Sequence, residues 1–465
     1  MKAADAGILP PKVLFLYALP AAGMTAMHWL IMVFLLKYST DVLGIAPVAM
    51  GAILAGSRMW DAFSDPIAGW ASDRTRTRMG RRRPWMAAAA LPGALAFYAL
   101  WSVPAGASPL LSAVWIGAAL FFFFTASTAS RIPYLSLGAE LTRNHHERTR
   151  LSAIRVGAEI IGIFAALAGL HWMENAASIR EVSMTVAALI GTVCAASLIV
   201  AALMLPEPRE NMGRGASHPL RAFADVFRNP HARRLTAALL LAELGLGSLL
   251  VAVPYVTEMM GRPGTSAITM LGFILPFAIS VPLWIPLGRR FGKARCFAAA
   301  SGLCALAFIL LSTGAYDSEY AWIGCMALIG FSQAAIRTFP ESIKADVIDW
   351  DEAKTGERKE GTYFAAWNLA DKAAGALSVG LVGFVIQGSD GGVSMEGVRF
   401  ATSLMPAGFL LLSMAPLFGF RLNAATHEQL TRDIYVSETG TTKVRAETVC
   451  PVRVDQSALS SNPLA

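Results

Sequence analysis

Asp61 and Asp65 stand four residues apart inside the otherwise apolar stretch LAGSRMWDAFSDPIAGWA. That spacing places both carboxylates on one face of a helix. An ionisable side chain at membrane depth costs at least roughly 2.5 kcal/mol, so two together demand a compensating cation, proton or positive side chain. Such a pair is suited to ion-coupled transport. The alternative is a purely structural polar pair facing a neighbouring helix, and the dense arginine loop that follows at once argues against it.

The elements that position these carboxylates are set by composition. The chain has 55% hydrophobic and only 15% charged residues, with a mean hydropathy of +0.51. An ordinary soluble protein of this length is less apolar. Twelve apolar runs, each long enough to cross a hydrocarbon core of about 30 Å as a helix, fall near 12–37, 49–71, 85–104, 110–138, 151–173, 184–205, 233–258, 266–288, 295–314, 321–345, 362–388 and 399–421. The expected architecture is an all-α integral membrane protein of twelve transmembrane helices in two six-helix bundles. Its parts are an N-terminal bundle over 1–205, a central loop over 206–232, a C-terminal bundle over 233–421 and a tail over 422–465. The tail shows no sustained period and is expected to be mobile.

Positive residues predict the orientation. Arg74, Arg76, Arg78, Arg81, Arg82 and Arg83 follow the second run, and Arg143, Arg148 and Arg150 follow the fourth. These loops, the central loop and both termini are expected on the cytoplasmic side of the plasma (inner) membrane. Topology thus accounts for the net charge of +7, and no nucleic-acid partner is implied. The first apolar run is too long for the core of a cleaved signal and reads as a retained helix. Cys194, Cys296, Cys304, Cys325 and Cys450 lack the spacing of a metal site or a disulfide framework. No metal-ligand spacing or Gly-x-Ser-x-Gly elbow marks an enzyme, and no cofactor is implied.

The two halves carry similar short basic hairpins, GWASDRTRTRMGRRRPW after the second run and PLGRRFGKARC after the eighth. The first resembles the Gly-x-x-x-Asp-Arg loop of the major facilitator superfamily, which makes Gly69, Asp73 and Arg74 candidates for conformational gating. A loop that only sets topology would not require Asp73. The longer string WDAFSDPIAGWASDRTRTRMGRRRPW resembles, more narrowly, the glycoside-pentoside-hexuronide cation symporters, the family of the melibiose permease. LKYSTDVLGIAP, RIPYLSLGAELTRNHHERTRLSAIR and ADVIDWDEAKTGERKEGTYFAAWNLADKAAGAL are similar to that family's helix 1 exit, helix 4 to 5 junction and helix 10 to 11 junction, in order.

This resemblance implies roles by position. Asp61 and Asp65 match the carboxylates that bind the coupling cation, Na+ if the protein is sodium-coupled and otherwise a proton; hard oxygens suit such an ion. Lys372 matches a helix 11 lysine that couples the cation to the substrate. It lies about ten residues inside its run, too deep to snorkel to water. Arg155 matches an arginine near the sugar pocket, and Glu159 follows one turn later, so an intrahelical pair is the competing reading. Thr25, Arg131 and Leu135 stand where melibiose-type members carry two aspartates and a stacking tryptophan. Melibiose is therefore not the expected substrate.

Arg131 leaves two readings open. It recognises an acidic substrate by its planar fork, or it serves as a built-in counter-ion for the two aspartates and leaves the protein uncoupled. The expected function is cation-coupled symport of a sugar or glycoside, an acidic one such as a hexuronide being favoured, by alternating access. The alternatives are symport of a lysophospholipid or other amphiphile, an uncoupled facilitator and a non-transporting sensor. Asn368, one turn before Lys372, is a further candidate substrate ligand, and His28 a candidate cavity residue beside a packing role. Arg337 and Glu341 are spaced for a salt bridge, and Glu243 stands alone in an apolar context. The LFFFFTA stretch reads as lipid-facing surface or as an apolar cavity lining.

Overall fold

A computed structural model describes residues 9–142, 145–207, 226–355, 360–418 and 420. The expected tail, most of the central loop, residues 356–359 of the TGERKEG stretch and Cys450 lie outside the described residues. The described chain is almost wholly helical: α1 Pro11–Asp41, α2 Pro47–Arg74, α3 Arg83–Trp101, α4 Pro109–Glu140, α5 His145–Glu174, α6 Ile179–Met204, α7 Pro230–Met259, α8 Ser266–Phe291, α9 Lys293–Ser312, α10 Glu319–Thr355, α11 Glu360–Val385, α12 Met395–Ala401 and α13 Leu404–Met414.

Local chemistry fixes several of these ends. Proline opens α1, α2, α4 and α7, where its missing N–H is one of the donors a helix leaves unpaired anyway. The Asn229 side chain accepts from the backbone N–H of His231 at 2.9 Å and of Ala232 at 3.2 Å, capping α7. Gly292, at φ +92°, makes the turn between α8 and α9 without steric cost.

The last crossing differs from the single run expected over 399–421. It begins at Met395 and breaks between α12 and α13. Pro406 has no N–H for the Thr402 carbonyl. The Thr402 and Ser403 hydroxyls donate to the Val398 and Arg399 carbonyls at 2.7 and 2.5 Å, so the helix end is satisfied by side chains.

Among the described residues, nine stretches are long and apolar enough to cross a membrane by length and composition, the broken last crossing included. The other three crossings, α2, α10 and α11, fall below that apolar measure. These three carry charges at mid-helix: Arg58, Asp61 and Asp65; Arg337, Glu341 and Lys344; Asp371 and Lys372. The helices least suited to lipid are those that bear the site.

Packing repeats with a period of six, counting α12 and α13 as one crossing. In the first half α1 packs on α5 and α6, α4 on α2 and α3, and α3 on α6. In the second, α7 packs on α11 and α13, α10 on α8 and α9, and α9 on α13. Contacts between the halves run mainly through α2 with α11, α1 with α7 and α5 with α8. Small residues let these helices approach closely: a Cβ added to Gly51 of α2 would lie 2.9 Å from the Gly383 Cα of α11.

Candidate functional site

The α2 face that meets α11 and α4 carries the two aspartates. Lys372 Nζ of α11 sits 2.7 Å from Asp61 Oδ2 and forms a second ion pair with Asp65 Oδ2. From α4, Thr128 Oγ1 lies 2.8 Å from Asp61 Oδ1 and 3.1 Å from Asp65 Oδ1, and accepts from the Ser64 hydroxyl at 3.1 Å. One hydroxyl has one proton, so Thr128 donates to one carboxylate at a time and offers lone pairs to the other side. Two carboxylates thus share a single ammonium, a formal excess of one negative charge in a half-buried setting. Thr128 was not singled out from the sequence; its signal is the polar run TASTAS in an otherwise apolar helix.

Arg58, also missed, lies one turn before Asp61. Its guanidinium rests over Gly375 of α11, where a Cβ would stand 2.7 Å from Nη1. Asp61 and Glu243 of α7 are the acidic groups that act on it electrostatically, and its Nε is buried with no hydrogen-bond partner. Glu243 is not alone, as its context implied: its carboxylate takes Arg337 of α10 at 2.8 Å. The Arg337–Glu341 spacing is not used for the expected bridge. Glu341 pairs instead with Lys344 at 2.8 Å, and Lys344 stands 3.9 Å from Asp371. These five charged residues line a cavity between α7, α10 and α11.

The other expected residues divide. Arg131 is exposed and, among the described residues, makes no ion pair, so the counter-ion of the aspartates is Lys372. Arg155 pairs with Glu159 on its own helix, as the spacing allowed. Asn368 is exposed and Thr25 half-buried. His28 meets Phe124 edge-on at 6.3 Å, and Arg58, Arg131 and Lys372 all act on its ring electrostatically, which places it at the polar centre. Of the four consecutive phenylalanines, Phe121 and Phe122 are exposed while Phe123 and Phe124 are buried.

The gating candidates Asp73 and Arg74 take separate partners. Asp73 is held by Arg82 and, at 3.6 Å, by Arg81. Arg82 also donates to the Ser72 hydroxyl at 2.6 Å, and Arg81 reaches Glu140 of α4 at 2.6 Å. Glu207 accepts from the backbone N–H groups of Arg81 and Arg82 at 2.8 and 2.9 Å. Arg74 stacks on Trp70, 4.2 Å from the ring centroid. Gly69 leaves ordinary space beside Ile132.

These ion pairs of the arginine-rich end stay within the first half. At the opposite end, polar contacts join the halves. Lys37 pairs with Glu258, the Thr40 and Tyr255 hydroxyls meet at 2.8 Å, and the Val48 N–H donates to Gln387 Oε1 at 3.0 Å. The Ser266 hydroxyl and N–H reach Glu174 at 2.5 and 3.2 Å, and Asn175 donates to the Gly264 carbonyl at 3.0 Å. The structure is closed at the end away from the arginine loop.

Two six-helix halves meeting along α2/α11 and α5/α8 around a charged midplane define a major facilitator transporter. The solved structure of the nucleoside transporter NupG shares the fold, with a TM-score of 0.67 at 12% identity over 88% of this chain and 98% of that one. The sequence profile described as MFS/sugar transport protein matches residues 16–424, and the chain belongs to that family. It is an integral membrane transporter rather than an enzyme. Its relatives include the glucuronide carrier protein homolog of Escherichia coli, 24% identical over 86% of this chain and 90% of the relative. A putative sulfoquinovose importer of the same organism is 25% identical over 88% and 90%. The sodium-dependent lysophosphatidylcholine symporter 1 of Gallus gallus is 22% identical over 82% and 81%.

Proposed function

We propose that the protein is a cation-coupled symporter of an acidic sugar or glycoside, with Asp61, Asp65 and Thr128 as the cation site. The supporting observation is the ion pairing at that site: two carboxylates share one lysine at salt-bridge distance, so a single small cation, Na+ or a proton, can take over one of them. Carboxylate and hydroxyl oxygens converge there within hydrogen-bond distance, a donor set suited to a hard cation. The ammonium of Lys372 stands where such a cation would compete. A bound cation releases Lys372 from one aspartate, and the released ammonium becomes available to an anionic substrate.

Two relatives bear names of anionic sugar compounds, a glucuronide with its carboxylate and sulfoquinovose with its sulfonate. Positive groups around the centre, Arg131, Arg155 and Lys372, suit that substrate class. The contacts that seal one end fit one stage of alternating access by rocking of the two halves. The loop of Arg74 to Arg83, and both termini, are assigned to the cytoplasm.

The test is uptake by proteoliposomes of a labelled glucuronide, a neutral glucoside and a lysophosphatidylcholine, with and without a sodium or proton gradient. Gradient-driven accumulation of the glucuronide is expected. Accumulation of the lysolipid alone would replace the sugar reading, and glucuronide flux indifferent to every gradient would refute coupling.

A further inference from the structure

The charged cavity of the second half lies outside the cation site, and no role has been given to it. Its walls are Glu243 of α7, Arg337, Pro340, Glu341 and Lys344 of α10, and Asp371 of α11. Lys344 is 97% buried, with its ammonium committed to Glu341. Arg337 differs: its side chain is 49% exposed although it stands midway along a membrane-crossing helix. A half-exposed guanidinium at that depth faces a water-filled cavity rather than lipid. The cavity of about 40 Å³ holds a few waters or one acid group, not a sugar ring.

Among the described residues Arg337 has a single salt-bridge partner, the monodentate contact from Nη2 to Glu243 Oε2 at 2.8 Å. A guanidinium fork has five donors and prefers a bidentate acid. Glu243 also acts electrostatically on Arg58 across the interface without forming an ion pair with it, and among the described residues the buried Arg58 Nε lacks a hydrogen-bond partner. Arg58 is pinned against Gly375, one turn from Lys372. The charges therefore alternate in sign along the meeting of the two halves: Asp65, Lys372, Asp61, Arg58, Glu243, Arg337. In such a chain the release of one member offers a partner to the next.

We propose that Glu243 and Arg337 form a carboxylate-exchange subsite. The acid group of the substrate takes the Arg337 fork, and the displaced Glu243 turns to Arg58 on the first half. Substrate binding in one half is thereby reported to the cation site in the other. Arg337, rather than the solvent-facing Arg131, is the specificity-determining cation for the anionic group. Pro340 adds a second polar feature to the wall: lacking an N–H, it leaves the Ile336 carbonyl without its helical donor beside the same cavity. A hydroxyl of the substrate can donate there.

This subsite rests on the acidic-sugar reading above. Its test is equilibrium binding to the purified full chain in detergent, with 4-nitrophenyl glucuronide and the neutral 4-nitrophenyl glucoside as probes. Wild type, Glu243→Gln and the double variant Glu243→Gln/Arg337→Gln are compared; the double removes both charges together and so strands neither. Wild type is expected to prefer the glucuronide. Glu243→Gln, relieved of the competing carboxylate, binds the glucuronide several-fold more tightly and the glucoside unchanged, yet transports it more slowly. The double variant loses the preference by at least about tenfold while still binding the glucoside. A glucuronide preference that survives in the double variant, or tightening absent in Glu243→Gln, overturns the subsite alone. Wild type that shows no preference for the glucuronide overturns the acidic-sugar reading, and the subsite with it.

Discussion

Replacing Asp65 by Asn tests the charge argument at the cation site directly. In the native arrangement Lys372 compensates one of two aspartates and the cation compensates the other. With Asp65 neutral, Asp61 and Lys372 remain paired at 2.7 Å, and the amide keeps a carbonyl for Thr128. The fold is therefore expected to survive, with a stability change near that of an ordinary substitution, about 1 kcal/mol. The cation loses far more. A unit charge about 4 Å away at an effective dielectric constant near 20 contributes roughly 4 kcal/mol, or about three decades of affinity. The assay is glucuronide uptake by proteoliposomes carrying Asp65→Asn, measured once against a cation gradient and once as gradient-free exchange. Accumulation should vanish while exchange persists. Wild-type accumulation by this variant would refute the assignment of Asp65 to the cation, and loss of exchange together with loss of folded protein would refute the claim that Lys372 and Asp61 form a self-sufficient pair.

Three other perturbations bear on separate parts of the structure. Arg82→Ala removes a buried partner of Asp73 and Ser72 and should cost about 3–5 kcal/mol, seen as a fall in melting temperature; Arg74→Ala, which loses only a stacking contact on Trp70, should cost about 1 kcal/mol or less. Gly383→Leu forces the α2 and α11 backbones apart where the halves are closed, because the Gly51 Cα already lies 2.8 Å from a Cβ at 383; labelling of a cysteine placed at Thr40 should become faster than in the parent chain. Arg131→Asn breaks no ion pair, so its melting temperature should match wild type within the equivalent of about 0.5 kcal/mol, and an effect on transport would then report substrate rather than stability.

What the sequence made legible follows from period and depth. Long apolar runs separated by arginines read out as crossings because the bilayer imposes length and hydropathy together. The pairing of Asp61 and Asp65 followed from a spacing of four, and that of Arg155 with Glu159 did too. The reading failed where a partner comes from another helix. Glu243 looked solitary and Arg337 looked paired with Glu341, since only neighbours along the chain are visible in a sequence; the fold brings Arg337 to Glu243 instead. The partners of Asp73 were likewise out of sight, since the turn after α2 folds back and delivers Arg81 and Arg82 to it. Thr128 and Arg58 were passed over for a different reason. A threonine in an apolar helix usually bonds its own backbone, and the Glu243 carboxylate that acts on the mid-helix Arg58 comes from another helix, so neither residue type announces the carboxylate it serves.

Lys372 was placed correctly at depth, but its meaning depends on geometry that spacing cannot supply. A lysine bound to one aspartate would neutralise the site together with a cation on the other; a lysine joined by Arg131 would leave nothing for a cation to do. Arg131 is exposed and without an ion pair among the described residues, while Lys372 alone spans both carboxylates. The arithmetic of the site therefore turns on one side chain's direction. If Arg131 approached Asp61 during turnover, it would compete with the cation for that carboxylate, and Asp61 would compete with the acid group of the substrate for the guanidinium. With Lys372 as the partner of both aspartates, Arg131→Asn should leave unchanged how steeply acidic-substrate uptake depends on the cation. A steeper cation dependence in the variant, measured as initial rate against sodium or proton concentration, would show that Arg131 does reach the aspartates in the working cycle.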